Sequence, residues 1–405
     1  MKLKYVTAFP GRRDSYQIPL SLFENGRLDR FVTDAYDAGI TAGVLKKYGA
    51  KDLARRKCVD LPDALVDARL RYEIAGRLLS RVMQPSRSAV IADAWTARAG
   101  AAAANKHGAS ALFYEFQAEL GFSLLKSRRQ RRILFQFHPH PGWEHPLLTE
   151  DARRYPEFAD LVASSTRANL SRRYAEHTCF AWKEADHVIV ASSCTRTSLI
   201  HVGCPSENIT VVPYGCETVE NSNALRHEPK ELRPYFLWVG AGSHRKGLHH
   251  LCRAWEISGC AKEASLIVVA RVIDPGMAKP LNTPGVRWVQ GLPRAELNWY
   301  FSHAKAFVMP SLSEGFGQVY LEALAKGCPV IGTRNSVLPD IADAQPWIDY
   351  VEPGNITELA ESLSKTLRKN ASISAHDKLA VAASVGSFTW ESFRSGIENI
   401  LRRFD

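Results

Sequence analysis

The chain has 405 residues, 45% of them apolar and 23% charged, with a formal net charge of +10. That length exceeds what one compact core organises and points to two domains of roughly 150–200 residues each. The composition is that of a soluble globular protein, and no apolar run approaches the roughly 20 residues that span a bilayer.

The opening segment MKLKYVTAFPGRRD lacks the apolar stretch of a signal peptide and reads as a strand, Leu3–Phe9, entering a loop at Pro10-Gly11. Further strands are expected at Ala89–Ala92, Ala111–Tyr114, Ile133–Phe137, His187–Ala191 and Ile209–Val212, with helical stretches between them. The polar segment Cys216–Tyr235 reads as a linker. The alternation then restarts. Strands are predicted at Tyr235–Gly240, Ala264–Ala270, Val286–Gly291 and Ala306–Pro310, and an amphipathic helix closes the chain at Phe388–Phe404. This pattern predicts two α/β domains in tandem, residues 1–215 and 216–387, with a ligand in the cleft between them. The eight cysteines are scattered, with no C-x-x-C pair and no zinc spacing, which suits reduced thiols and a cytosolic protein.

The charge is one-sided. Residues 1–215 hold 31 Lys/Arg against 22 Asp/Glu, whereas the remainder holds 21 against 20. The excess concentrates in RLRYEIAGRLLSRVM (Arg69–Met83) and LLKSRRQRRIL (Leu124–Leu134). Such runs are either solvated surface or a face for polyanions. The first also places Leu70, Ile74, Leu78 and Val82 at helical spacing among four arginines, the composition of a helix lying on an anionic membrane.

Three stretches carry candidate chemistry. SLSEGFGQVYLEALAKGCPVIGT (Ser311–Thr333) follows a predicted strand, so Ser311–Gly317 is a loop at a strand's carboxyl end, where open α/β sheets bind ligands. A helix is expected from Gln318 to Lys326, ended by Gly327 and Pro329. The free amides of Gln318 and Val319 in its first turn suit a phosphate. Glu322, one turn in, can accept two hydrogen bonds from a vicinal diol such as a ribose, and Glu314 can reach a second polyol. The alternative is an ordinary capped helix with solvated acids. VGAGSHRKGLHHLCRAW (Val239–Trp255) also joins a strand to a helix, and Arg245 and Lys246 there can either neutralise a diphosphate or form a solvated basic turn. It is neither a P-loop nor G-x-G-x-x-G. LFQFHPHPGWEHP (Leu134–Pro146) offers His138, His140 and His145. Lacking acidic partners beyond Glu144, they suit a hydrogen-bond donor at a strand end, or a structural loop, better than a metal. No D-x-D pair, nucleophile elbow or kinase signature occurs.

Together these residues resemble glycosyltransferase family 4, the retaining transferases of GT-B fold. The likeness is most specific over Ala304–Thr333, which has the family's Glu-x7-Glu pattern, and extends through VVPYGCE and VGAGSHRKGL. It implies two Rossmann-like domains, the first binding acceptor and the second nucleotide sugar, with the final helix, 388–405, returning to the first. It further implies that Glu322 holds the ribose, and that Glu314 with the amides of Gly315, Phe316 and Gly317 meets the donor sugar. Lys246 would lie on the diphosphate. Ala241 stands where the family has an arginine, so Arg245 would supply that charge. His138, with His140 as the alternative, would contact the sugar. Gly11 matches a glycine-rich loop near the phosphates, and the base would lie near Arg271 and Gly291–Leu292. No metal or cofactor is implied. The partners implied are a UDP- or GDP-sugar and a glycan or lipid-linked acceptor at the inner face of the cell membrane. Other activities on the same fold, an epimerase or phosphorylase, are alternatives. A nucleic-acid binder has the charge but no module for it.

Overall fold

The computed structural model describes residues 2–37, 56–82, 85–158, 180–216, 233–369 and 374–405. Seven strands form the first sheet: β1 (Tyr5–Ala8), β2 (Leu28–Thr33), β3 (Val66–Ala68), β4 (Ser110–Tyr114), β5 (Arg132–Gln136), β6 (His187–Val190) and β7 (Ile209–Val211), in the order β3-β2-β1-β4-β5-β6-β7. Six form the second: β8 (Tyr235–Val239), β9 (Ser265–Val269), β10 (Val286–Val289), β11 (Ala306–Met309), β12 (Val330–Gly332) and β13 (Ile348–Tyr350), in the order β10-β9-β8-β11-β12-β13. Every pairing between these strands is parallel. Parallel strands covered by helices on both faces need near-continuous apolar runs. HVIV, YFLWV and AFVM are such runs, buried along their whole length.

Strand order reverses between β1 and β4 in the first sheet and between β8 and β11 in the second. At each reversal the loops leaving the carboxyl ends run apart and open a crevice. The loops after β1, β8 and β11 carry Gly11, Arg245, Lys246 and Glu314, whereas His138 follows β5, Arg271 follows β9 and Leu292 follows β10.

The structure departs from the sequence reading at several elements. Ala89–Ala92 is not a strand but part of a 23-residue helix, Pro85–His107. A four-residue apolar run cannot by itself distinguish the two, and the alanine-rich continuation favours the helix. The strands β2, β3 and β13 have no clear mark in the sequence because each is short or carries charge, as in LDRFVT, VDA and IDY. The Cys216–Tyr235 segment lies mostly outside the described residues.

The helix Trp390–Leu401 packs back on the first sheet's helix Gln17–Glu24. Phe393 and Ile397 are buried beneath it, and the Phe393 ring lies 5.9 Å from that of Phe135. A fully buried cation fastens the junction: Arg27 Nε donates to Glu398 at 2.6 Å and its Nη2 to Asp405 at 2.7 Å. Removing one partner of a buried pair strands the other without water or counter-charge, at about 3–5 kcal/mol. Arg27→Ala should therefore cost about that much in urea unfolding, whereas Arg402→Ala, which removes a largely exposed partner of Glu398, should cost under about 1 kcal/mol. Equal losses would show that the clamp does not hold the returning helix.

Candidate active site

The loop after β8 ends in a 3-10 turn, His244–Lys246, closed by Gly247 at φ 66°. Only glycine fits there, because a Cβ would come within 2.0 Å of the Pro310 carbonyl oxygen. Gly247 thus lets the β8 loop lie directly on the β11 loop. The contact brings Arg245 and Lys246 to Glu314. Arg245 Nη1 is 3.1 Å from Glu314 Oε1, and Lys246 Nζ is in close contact with Oε2. All three side chains are largely buried, at 9%, 14% and 8% exposure. Burial pushes the Glu314 carboxyl up, but Arg245 and Lys246 outweigh it and hold the group down at about 2.

Residues of the first domain cover this cluster. Glu144, on the helix Pro141–Arg154, accepts from Ser313 Oγ at 2.9 Å and approaches Arg245 Nε at 3.8 Å. The Gly315 carbonyl accepts from Ser192 Oγ and, at 3.0 Å, from Thr195 Oγ1. A Cβ on Gly315 would meet the Phe137 carbonyl oxygen at 1.9 Å, so glycine is what lets the loop after β11 reach the end of β5. His138 follows directly. Its Nδ1 and backbone N–H both bond the Glu115 carboxylate, which fixes the ring's orientation. The Phe316 ring packs edge-on against Tyr214 at 5.3 Å.

The structure therefore brings together Arg245, Lys246, Glu314, Gly315, Phe316 and His138. His140 serves the fold instead, because its side chain caps the Pro141 helix by accepting from the Gly142 N–H at 3.0 Å. Of the pair, His138 is the one placed against the loop after β11. The helix Gln318–Ala325 begins after Gly317, with Gln318 Nε2 donating to the Gly215 carbonyl at 3.0 Å and Val319 partly buried against the core. Glu322 is paired with the half-exposed Arg294 at 2.8 Å, a contact that a ligand can displace at little cost. Gly11, Arg271 and Leu292 make their contacts elsewhere. The Gly11 N–H donates to Asp34 at 2.8 Å, Arg271 packs against Gly291 after β10, and Leu292 packs on the apolar core.

Several participants escape sequence reasoning. Asp14 accepts from the Tyr114 and Tyr214 hydroxyls at 2.9 Å each, in a turn where Asp14, Ser15 and Tyr16 all have positive φ. Arg13 beside it lies 4.5 Å from the Phe137 ring centre. Glu115 has a legible signal, a carboxylate immediately after the buried strand SALFY. Asp151 has none. It stands among His244, His249 and His250, all four buried. His244 Nε2 is 2.8 Å from Asp151 Oδ2.

Comparison with known proteins gives the chain its class. Residues 233–369 match the family model described as "Glycosyl transferases group 1". The chain is 22% identical to O-antigen chain mannosyltransferase B of Escherichia coli over 319 residues, covering 71% of this chain and 81% of that one. It is 26% identical to O-antigen chain mannosyltransferase RfbU of Salmonella typhimurium over 227 residues, covering 52% of this chain and 61% of that one. Among solved structures, sucrose-phosphate synthase of Thermosynechococcus elongatus aligns with a TM-score of 0.63 at 17% identity, covering 99% of this chain and 98% of that one. Anabaena HepE in complex with UDP and glucose aligns with a TM-score of 0.59 at 16% identity, over 99% and 100%. The fold is GT-B. Residues 233–369 are similar to the group 1 glycosyl transferases, and with the mannosyltransferase likenesses this gives the protein its class, a glycosyltransferase.

A carboxylate held below its unfolded value stabilises the fold above that value and loses the effect as pH falls towards its folded one. For Glu314 the window runs from its ordinary 4.5 down to about 2. Glu314→Gln should lower stability at pH 7 by on the order of 3 kcal/mol. The deficit against the parent should shrink as unfolding is measured at successively lower pH through that window. A deficit independent of pH would remove the charge explanation.

Proposed function

We propose that the protein moves a hexose from a nucleotide diphosphate sugar, UDP- or GDP-linked, to a glycan or lipid-linked saccharide, with retention at the anomeric carbon, in the synthesis of cell-surface polysaccharide. The observation that carries this reading is the meeting of two buried cations, Arg245 and Lys246, with Glu314 and His138 where strand ends of both sheets face each other. The cations match the charge that develops on a departing diphosphate, and such fixed electrostatic stabilisation does the work a divalent ion does elsewhere. Glu314 compensates them before the donor arrives. His138, held by Glu115, is placed to donate to the sugar as the bond to the leaving group weakens. Acceptor attack from the same face as departure needs no protein nucleophile. The O-antigen relatives support a saccharide acceptor assembled for the cell surface.

The acceptor side is basic. On the helix Leu70–Val82, Ile74 and Leu78 are 52% and 56% exposed, flanked by exposed Arg71 and Arg77. Among the described residues no helix is long and apolar enough to cross a membrane. The exposed pair among arginines suits shallow contact with anionic lipid, where a lipid-linked acceptor resides.

Lys246→Ala should lower kcat/KM about 100- to 1,000-fold with unchanged circular dichroism, and Glu322→Ala should raise the donor KM. Normal turnover in Lys246→Ala would sink the assignment. A thermal-shift screen of UDP-, GDP- and ADP-sugars should show one nucleotide class raising the melting temperature. Turnover should not respond to added magnesium. In flotation at low salt, vesicles containing anionic lipid should carry the protein, and Ile74→Ser with Leu78→Ser should weaken that. Flotation equal on neutral vesicles would remove the membrane reading.

A further inference from the structure

Asp151 sits in the last turn of the Pro141 helix, on the first domain. His244 precedes Arg245, and His249 and His250 lie in the first turn of the helix Leu248–Ser258, on the second domain. Their exposures are 6%, 1%, 0% and 1%, so bulk water does not solvate the group. The Nε2 atoms of His244 and His249 lie 2.8 and 3.4 Å from Asp151 Oδ2, and that of His250 lies 3.1 Å from Oδ1. Phe158 and Tyr155 wall the cluster, with ring centres 4.8 Å from His249 and 5.1 Å from His250.

Hydrogen bonding alone accounts poorly for this packing. His250 Nε2 approaches the carboxylate without hydrogen-bond alignment, and neither of its ring nitrogens has a hydrogen-bond partner. A buried polar group left so is destabilising. Four donors around a tetrahedral ion, each about 2.0–2.2 Å from it, stand roughly 3.4 Å apart. The separations of 2.8 and 3.4 Å from Asp151 to His244 and His249 run up to that spacing, and one ligand atom from each of Asp151, His244 and His249 falls within 4.8 Å of the others. Imidazole nitrogens with one carboxylate oxygen favour zinc over magnesium or calcium.

We propose that Asp151, His244 and His249 bind a zinc-type divalent ion across the domain boundary. Three protein donors leave the fourth position of a tetrahedral ion to a water. One donor comes from the first domain and two from the second, so the full set exists only while the domains are apposed. The same helix presents Glu144 to Arg245, and the same turn presents Arg245 and Lys246. The ion therefore sets how the cation pair stands against the first domain. The expectation of a chain without metal is narrowed to the handling of diphosphate. The inference does not rest on the transfer reaction, and its test reads metal rather than turnover.

Chelator-treated full-length protein is titrated with Zn2+, following bound metal, melting temperature and, with Co2+, visible absorption. The expected result is one saturable equivalent per chain, a melting temperature raised by several degrees, and the intense absorption bands of four-coordinate cobalt. Asp151→Asn and His249→Gln should weaken Zn2+ binding about 100-fold or more, while His303→Gln, a surface control, should not. The wild-type stoichiometry and cobalt spectrum decide the matter even if a variant fails to fold. Absence of saturable binding in the wild type, or undiminished binding in folded Asp151→Asn, would overturn the proposal and leave a hydrogen-bonded cluster.

Discussion

Glu314 between Arg245 and Lys246 is the interaction on which the site depends. Neither loop can bury its own charge: two cations without the acid, or the acid without the cations, would each carry an uncompensated desolvation cost of several kcal/mol. Together they allow the loops after β8 and β11 to close over one another away from water. Gly247 and Gly315 supply the close approach this requires, one between the loops and one against the first domain. Under the proposed function, a diphosphate entering such a place meets cations whose positions are already settled, so little reorganisation accompanies charge development.

The second sheet and its loops are largely legible in the sequence because they depend on local signals. YFLWV and AFVM are short apolar runs ended by turn residues, and Glu314, Gly317, Glu322 and Gly327 mark a loop, a helix start and a helix end at fixed spacing. The first domain is harder to read. Its strands β2 and β3 carry charges that obscure alternation, and the Pro85–His107 helix holds an apolar stretch that resembles a strand. What no local signal reveals is pairing at a distance. Glu115 with His138, Glu144 with Ser313 and Asp151 with His244 join residues 23, 169 and 93 positions apart, and only the packing of helices on the sheets decides those meetings.

The uneven charge also acquires a spatial meaning. The cations at the second domain's site are buried and matched by Glu314, whereas Arg71, Arg77, Arg128 and Arg129 of the first domain are exposed. Buried cations choose one ligand geometry, while exposed ones act at longer range and weaken with salt. The two halves thus use the same residue types for different purposes: orientation in one, attraction in the other.

The clamp at Arg27 has a consequence for the order in which the protein can be made. Its principal partner, Glu398, lies 371 residues later. While the chain is being synthesised, Arg27 has no acid to meet and the groove beside the Gln17–Glu24 helix lacks Phe393 and Ile397. The second sheet, from Tyr235 to Tyr350, is continuous and can assemble as soon as it emerges. The first sheet is translated earlier yet sealed last. Its apolar groove is completed only when the final helix packs against it.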